Sequence, residues 1–305
     1  MDSGPQMDLD WIEDFLALVE AQTFSRAAQI RRVTQPAFSR RIRSLEAWVG
    51  APLFCREPRR AVLTPAGEQF RPAAETLVRA AREGRAAALE AAGRAQTALA
   101  IAATHALSFT FFPGWVHARA PLAALGALNL MSDSMEACEE MMLRGEASFL
   151  LCHRHPDAPG RLESRFFQRA QIGADALAPF CAARPDGAPL WPLSSPDPVP
   201  YLAYAQPSGL GRVLEADWRR RGLEFALKPA MTARLAAALM GMAQDGLGVA
   251  WLPRSLAADA LARGDLVEAG PREVATPVEI VLYRPAARLS PAAERFWRGV
   301  AQPAS

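Results

Sequence analysis

Lysine is nearly missing from this chain. Lys228 is the only one, so the 34 basic residues are almost all arginine. Cysteine is also scarce. The four thiols, at positions 55, 138, 152 and 181, form no CxxC pair and no regular framework. That excludes a disulfide scaffold and fits a reducing compartment. No apolar run approaches the ~20 residues that cross a bilayer, so no membrane span is expected. The start, "MDSGPQMDLDW", is acidic and has no apolar core, unlike a signal peptide, and a cytoplasmic protein is expected. Catalytic signatures are missing too. There is no GxSxG elbow and no identifiable acid to orient a His105/Ser108 pair. "SGLGR" is neither GxGxxG nor GK[ST]. The spacing Cys152-His153-x-His155 is too tight for a standard zinc site and no second pair follows. Neither an enzyme nor a cofactor or metal is expected.

What is present is an ordinary globular composition in 305 residues, half of them hydrophobic, enough for two or three compact units. The net charge of +2 hides an uneven distribution. Residues 22–71 hold ten arginines (26, 31, 32, 40, 41, 43, 56, 59, 60, 71) against Glu46, Glu57 and Glu68, a net of +7, which leaves −5 for the rest. A basic block joined to a mildly acidic body points to a polyanion as partner of the block alone.

The block reads as helices. Residues 8–21, "DLDWIEDFLALVEA", put Trp11, Phe15, Leu18 and Val19 on one face, with acids crowding the first turn. "TFSRAAQIRR" predicts a short second helix, capped by Ser25, in which Ala27 and Ala28 let another helix come close. In "VTQPAFSRRIRSLEAWVG" Thr34 can cap a third helix and Pro36 sits in its first turn, where a missing N–H costs little. Phe38, Ile42, Leu45 and Val49 are spaced for burial. Gln35, Ser39, Arg40 and Arg43 lie on other faces. An apolar back with a Gln/Ser/Arg front suits the major groove of double-stranded DNA. Leu53, Phe54 and 61–63 are strand-like around a basic "REPRR" tip, which reads as a two-stranded wing. Thr64 and Pro65 then open an Ala-rich helix, 65–95, that reads as a dimer-forming linker. The candidate DNA contacts are Ser25, Arg26, Gln35, Pro36, Ser39, Arg40 and Arg43, with Arg59 and Arg60 on the phosphate backbone.

The pattern "FSRAA…VTQPAFSRRIRSLEAWVGAPLFCR…LTPAG" resembles the amino-terminal domain of LysR-type transcriptional regulators over about sixty residues. "TQPAFSRRIR", "GVAWLP" and "AERFWR" together resemble a narrower subgroup that includes a hypochlorite-responsive regulator. The resemblance implies a winged helix-turn-helix over 8–66 and a linker helix. It implies an α/β effector-binding half over 98–303 built like a periplasmic binding protein, and a homotetramer arranged as a dimer of dimers, with RNA polymerase as a possible partner. Arg31 departs from the family, which has a buried Leu there; Ile30 is expected to fill the space.

From about residue 98 the pattern alternates. Strand-like segments at 98–103, 127–131, 147–152, 199–204 and 277–284 are separated by helical ones such as 133–145 and 209–222, which predicts a sheet with helices on its faces. The family implies two lobes, 98–168 with 268–303, and 169–267. A small-molecule effector is expected between them, where strands end and helices begin. "AATHALSFTFFP" offers Thr104, His105 and Ser108. "YAQPSGLGR" offers Tyr204, Ser208 and Gly209. In "DGLGVAWLP", Gly246 and Gly248 let backbone approach. Ordinary capping and turns explain the same residue types equally well. Met131, Met135, Met141 and Met142 cluster around Cys138, with Met240 and Met242 elsewhere. Oxidation of such side chains would change packing, so an oxidant-sensing regulator is the alternative, although methionine at helical spacing is usually core filling.

Overall fold

The structure, a computed structural model, describes residues 7–56, 60–92, 99–118, 127–163, 166–206 and 208–301. They form two compact units, one over residues 1–92 with 143–145 and a second over 93–142 and 146–305.

The first unit begins with α1 (Leu9–Ala21), α2 (Phe24–Ile30) and α3 (Gln35–Val49). Asp8 caps α1 by accepting the Asp10 amide at 3.0 Å, and Gln22 ends it in a left-handed conformation at φ 57°. The cap of α2 is Thr23, not Ser25. Thr23 is extended and Phe24 already helical, so Ser25 lies inside the first turn. In α3, Pro36 occupies the first turn and Gly50 closes the helix at φ 81°. Phe38, Ile42 and Leu45 are buried as expected, against Ile12, Phe15, Leu18, Ala27 and Ala28. Strands β1 (Phe54–Arg56) and β2 (Ala61–Leu63) pair antiparallel, Phe54 opposite Leu63, as the wing. Its tip, with Arg59, lies outside the described residues. Helix α4 (Pro65–Ala91) follows, with Thr64 accepting the Gly67 amide at 3.0 Å. A side chain at Gly67 would meet the Leu53 carbonyl at 2.2 Å, so this helix start and the wing approach too closely for any residue but glycine.

The second unit runs β3 (Leu99–Thr104), α5 (His105–Thr110), α6 (Phe112–Ala118), β4 (Leu128–Asp133), α7 (Met135–Leu143), β5 (Phe149–Arg154) and β6 (Phe167–Ala182). It continues with β7 (Val199–Tyr204), α8 (Gly209–Arg221), β8 (Leu227–Ala233), α9 (Ala236–Gln244), β9 (Ala250–Pro253) and α10 (Arg254–Arg263). It ends with β10 (Leu266–Glu268), β11 (Thr276–Pro285) and α11 (Pro291–Ala301). The main sheet has the order β10-β6-β11-β5-β3-β4, with β9 also on β6, while β7 and β8 pair in parallel. Two cores flank the long strands β6 and β11. One gathers Ile101, Phe149, Leu282 and Phe296; the other gathers Leu177, Leu202, Leu239 and Trp251. Core membership changes between Ile172 and Leu177 on β6 and between Val278 and Ile280 on β11. Both points lie later in the chain than 169 and 268. The α/β sheet is the one the alternating pattern predicts, and its two cores fit the two lobes that the family resemblance implies.

Candidate functional site

The first candidate is the outer face of α3. Gln35, Pro36, Arg40 and Arg43 are exposed and Ser39 half-buried, while the opposite stripe is fixed in the core. Ser25 reaches across from α2 and donates to Gln35 Oε1 at 3.3 Å, and Arg26 beside it is exposed. Arg43 Nε donates to the Ser39 carbonyl at 3.2 Å. Arg60 Nε donates to Gln22 Oε1 at 2.9 Å, so this arginine ties the wing to the end of α1 while remaining exposed.

Two neighbouring arginines turn inward instead. Arg41 contacts Asp14 at 3.4 Å and Asp10 at 3.6 Å. Arg31 contacts Asp14 at 2.6 Å, Glu13 at 2.7 Å and Asp10 at 3.2 Å. Ile30 does not fill the space left by the absent leucine; it is 50 % exposed. The carboxylate of Asp14 is fully buried, and an ion at that depth needs a partner, which Arg31 supplies. Burial opposes the Arg31 charge, but the hydrogen bond to Asp14 and the charges of Glu13 and Asp14 outweigh it and raise its pKa.

The second candidate is a cavity of about 120 Å³ in the second unit. Of the residues named from the sequence, Thr104, His105, Ser208 and Gly209 line it. Four other expected residues do not. Ser108 opens on an adjoining recess with Phe109 and Leu235, and its hydroxyl is engaged by Ser132 at 2.9 Å and the His105 carbonyl at 2.8 Å. Tyr204 is buried and donates to the Trp251 carbonyl at 2.9 Å, which spends its hydroxyl on the fold. Gly246, at φ 77°, shapes the turn after α9, and its carbonyl accepts from Trp191. At Gly248 a Cβ would meet the Pro200 carbonyl at 2.5 Å, so this glycine serves the approach of β7.

The cavity also takes residues that sequence reasoning missed. Asp133, Ser134 and Glu136 surround the start of α7. Arg212 stands in the first turn of α8. Arg234 and Leu235 precede α9. Met135, Val213 and Tyr283 supply apolar wall. Arg154 lines it as well but is already neutralised, contacting Glu163 at 2.6 Å and Glu279 at 2.8 Å. His153 lines it too, its Nε2 at 3.6 Å from Asp175. Burial would raise the Asp175 pKa, yet His153, Ser255 and the Ala176 amide bring it below the usual aspartate value.

His155, Asp157 and Asp217 place one ligand atom each within 4.8 Å of one another, a spacing that a metal could use. Guanidinium groups already hold these carboxylates. Arg220 meets Asp157 at 2.5 Å and Asp217 at 2.7 Å, and Thr276 donates to Asp217 at 2.8 Å. The cluster is an ion-pair lock. Burial pushes the Cys138 thiol up to about 12 and raises Cys152 and Cys181 as well, so all three are neutral thiols at ordinary pH.

Comparison with known proteins joins the two sites. Residues 9–68 match the model of bacterial regulatory helix-turn-helix proteins of the lysR family, and residues 92–303 match the LysR substrate binding domain. The chain is 31 % identical to the transcriptional regulator YjiE of Escherichia coli K12 over 292 residues, 96 % of this chain and 93 % of that one. Vibrio fischeri DarR, solved in complex with DNA, is 30 % identical with a TM-score of 0.57, covering 97 % of this chain and 99 % of its own. Salmonella typhimurium HypT, a hypochlorite-specific LysR-type regulator, is 29 % identical with a TM-score of 0.57, covering 96 % of each chain. The chain belongs to the LysR family: it is a DNA-binding transcriptional regulator whose second unit is an effector-binding domain.

Proposed function

We propose that α3 enters the major groove with Gln35, Pro36, Ser39, Arg40 and Arg43 toward the base edges, while Ser25, Arg26, Arg59 and Arg60 hold the phosphate backbone. The supporting observation is the sidedness of α3: an apolar stripe locked into the core, and cations on its free face with no carboxylate partner among the described residues. The protein works in the cytoplasm as a dimer of dimers joined through α4, without catalysis. Effector binding between the lobes shifts the population between two tetramer geometries and so the bend of the bound DNA, which alters access of RNA polymerase. Fluorescence anisotropy on DNA from upstream of its own gene tests the first step. Affinity should fall linearly on a log–log plot against salt, because phosphate contacts release counterions. A salt-independent affinity, or none, would refute it.

Similarity to HypT favours a second reading, in which hypochlorite acts through methionine or cysteine oxidation. The buried, protonated thiols at 138, 152 and 181 weigh against a cysteine mechanism. Mass spectrometry after mild hypochlorite, with DNA binding followed in parallel, separates the two. Oxidation that leaves DNA binding and transcription unchanged removes this reading.

A further inference from the structure

We infer that the cavity of the second unit takes a small organic anion, a carboxylate or sulfonate, with Arg212 and Arg234 as its charge partners. This deepens the effector reading and rests on it. The argument starts from where the charges stand on their helices. A helix N-terminus carries partial positive charge from its unpaired amides, so acids are favoured there and cations disfavoured. Asp133 and Glu136 flank the start of α7, where those amides stabilise them, and Asp133 accepts the Ser134 amide at 2.7 Å. Arg212 and Arg234 stand the other way round. Arg212 is in the first turn of α8, which holds no acid, and Arg234 directly precedes Leu235, the cap of α9, whose first turn also holds none. Among the described residues neither guanidinium makes a hydrogen bond or ion pair; the charge of Arg212 acts on the buried Glu139 without touching it. Both line the same cavity.

A second observation points to the same spot. Thr104 lines the cavity, and its hydroxyl oxygen is buried with no hydrogen-bond partner among the described residues. A buried polar atom left in this way is costly unless something else satisfies it. One anion would satisfy the hydroxyl, neutralise both guanidiniums and accept from the leading amides of α8 and α9. At about 120 Å³ the cavity has room for about four water molecules at the volume each takes in the liquid, which suits a small acid and not a peptide. Met135, Val213 and Leu235 cover the remainder, which suits an organic body behind the charged head.

The test uses the full-length protein, its Arg212→Gln and Arg234→Gln variants and the double variant. The probes are sodium benzoate, sodium sulfate and neutral benzamide at constant ionic strength. Without added ligand, each variant should melt at the wild-type temperature or above, because a cation opposed by a helix dipole is removed. Benzoate should raise the wild-type melting temperature, each single variant should bind it at least about tenfold more weakly, and benzamide should have no effect. A fall of more than about 2 °C in either ligand-free variant would show a structural partner for the arginine and overturn the assignment. So would equal responses of wild type and double variant to both anions, or stabilisation by benzamide equal to that by benzoate. A response to sulfate without benzoate assigns a bare inorganic oxyanion and overturns the organic class. Gel shifts run in parallel keep the readings apart. A protein that binds no DNA refutes the regulator reading, whereas failure of the anion response refutes only this one.

Discussion

In the first unit Arg31 and Arg41 turn into the body against the acids of α1, while Arg40 and Arg43, on the same basic segment, face outward. In the second unit Arg220 and Arg221 close on Asp217, whereas Arg212, two turns earlier on the same helix, closes on no carboxylate among the described residues. The residue type is the same in every case and the sequence spacing is short. What differs is whether a carboxylate stands within reach, on a neighbouring helix for Arg31 and Arg41 and on the same helix for Arg220 and Arg221. Where it does, the arginine belongs to the fold, because a buried acid such as Asp14 or Asp217 would otherwise stand uncompensated. Where it does not, the charge remains available for a partner outside the chain: DNA for one unit, an anion for the other.

The sharpest way to break this contrast is Arg31→Met. It leaves the fully buried Asp14 with only the longer contact to Arg41, and the first unit should lose about 3 kcal/mol, measured as a lower urea midpoint of its unfolding. Replacing both Arg31 and Asp14 by leucine should recover most of that loss, since no ion is then left buried without its main partner. A loss of less than about 1 kcal/mol in the single variant would place Arg31 with ordinary surface pairs and end the distinction drawn for this unit.

The same contrast explains what was legible in the sequence. The α3 stripe of Phe38, Ile42 and Leu45, the first-turn Pro36 and the closing Gly50 could be read because local periodicity and capping decide them. Arg31 could not, because its partners stand on α1 and no local pattern announces a carboxylate supplied from another helix. Tyr204, Gly246 and Gly248 have the residue types of a site, yet packing against Trp251, Trp191 and Pro200 explains them. The sixteen-residue strand β6 mixes polar and apolar residues because it serves two cores in turn, which hides its alternation. Arg212 had a readable signal that went unused: a cation in the first turn of a helix with no acid beside it. Arg234 had less, since the start of α9 has no side-chain cap to mark it.

A smaller effect separates Arg43 from Arg41. Arg43→Ala should weaken specific DNA binding by about 2 kcal/mol and leave thermal stability within about 0.5 kcal/mol of wild type. Arg41→Ala should do the reverse, costing about 1 kcal/mol of stability through its pairs with Asp10 and Asp14. Anisotropy titrations and melting curves on both variants check the assignment. Equal loss of affinity on all DNA sequences would move Arg43 from base edge to phosphate.

The smallest effect concerns a paired arginine of the second unit and is read through pH. Arg284 grips Glu294 with two bonds, at 2.7 and 2.9 Å, and the Leu289 amide adds a third at 2.9 Å. The Arg284 bond is the main reason that the Glu294 carboxyl is held at about 2, with burial opposing and the Leu289 amide assisting. A carboxylate whose folded pKa lies below its unfolded value stabilises the fold above the unfolded value, near 4.5, and ceases to do so as pH falls toward 2. Because the pair is partly exposed, its contribution at neutral pH is about 1 kcal/mol. Glu294→Gln should therefore melt lower than wild type at pH 7, and the two stability curves should converge between pH 4.5 and 2 as the wild-type carboxylate takes up its proton. A constant gap across that range would mean that Glu294 acts through shape and not charge, and that an arginine closed on an acid is a weaker structural element here than Arg31 is in the first unit.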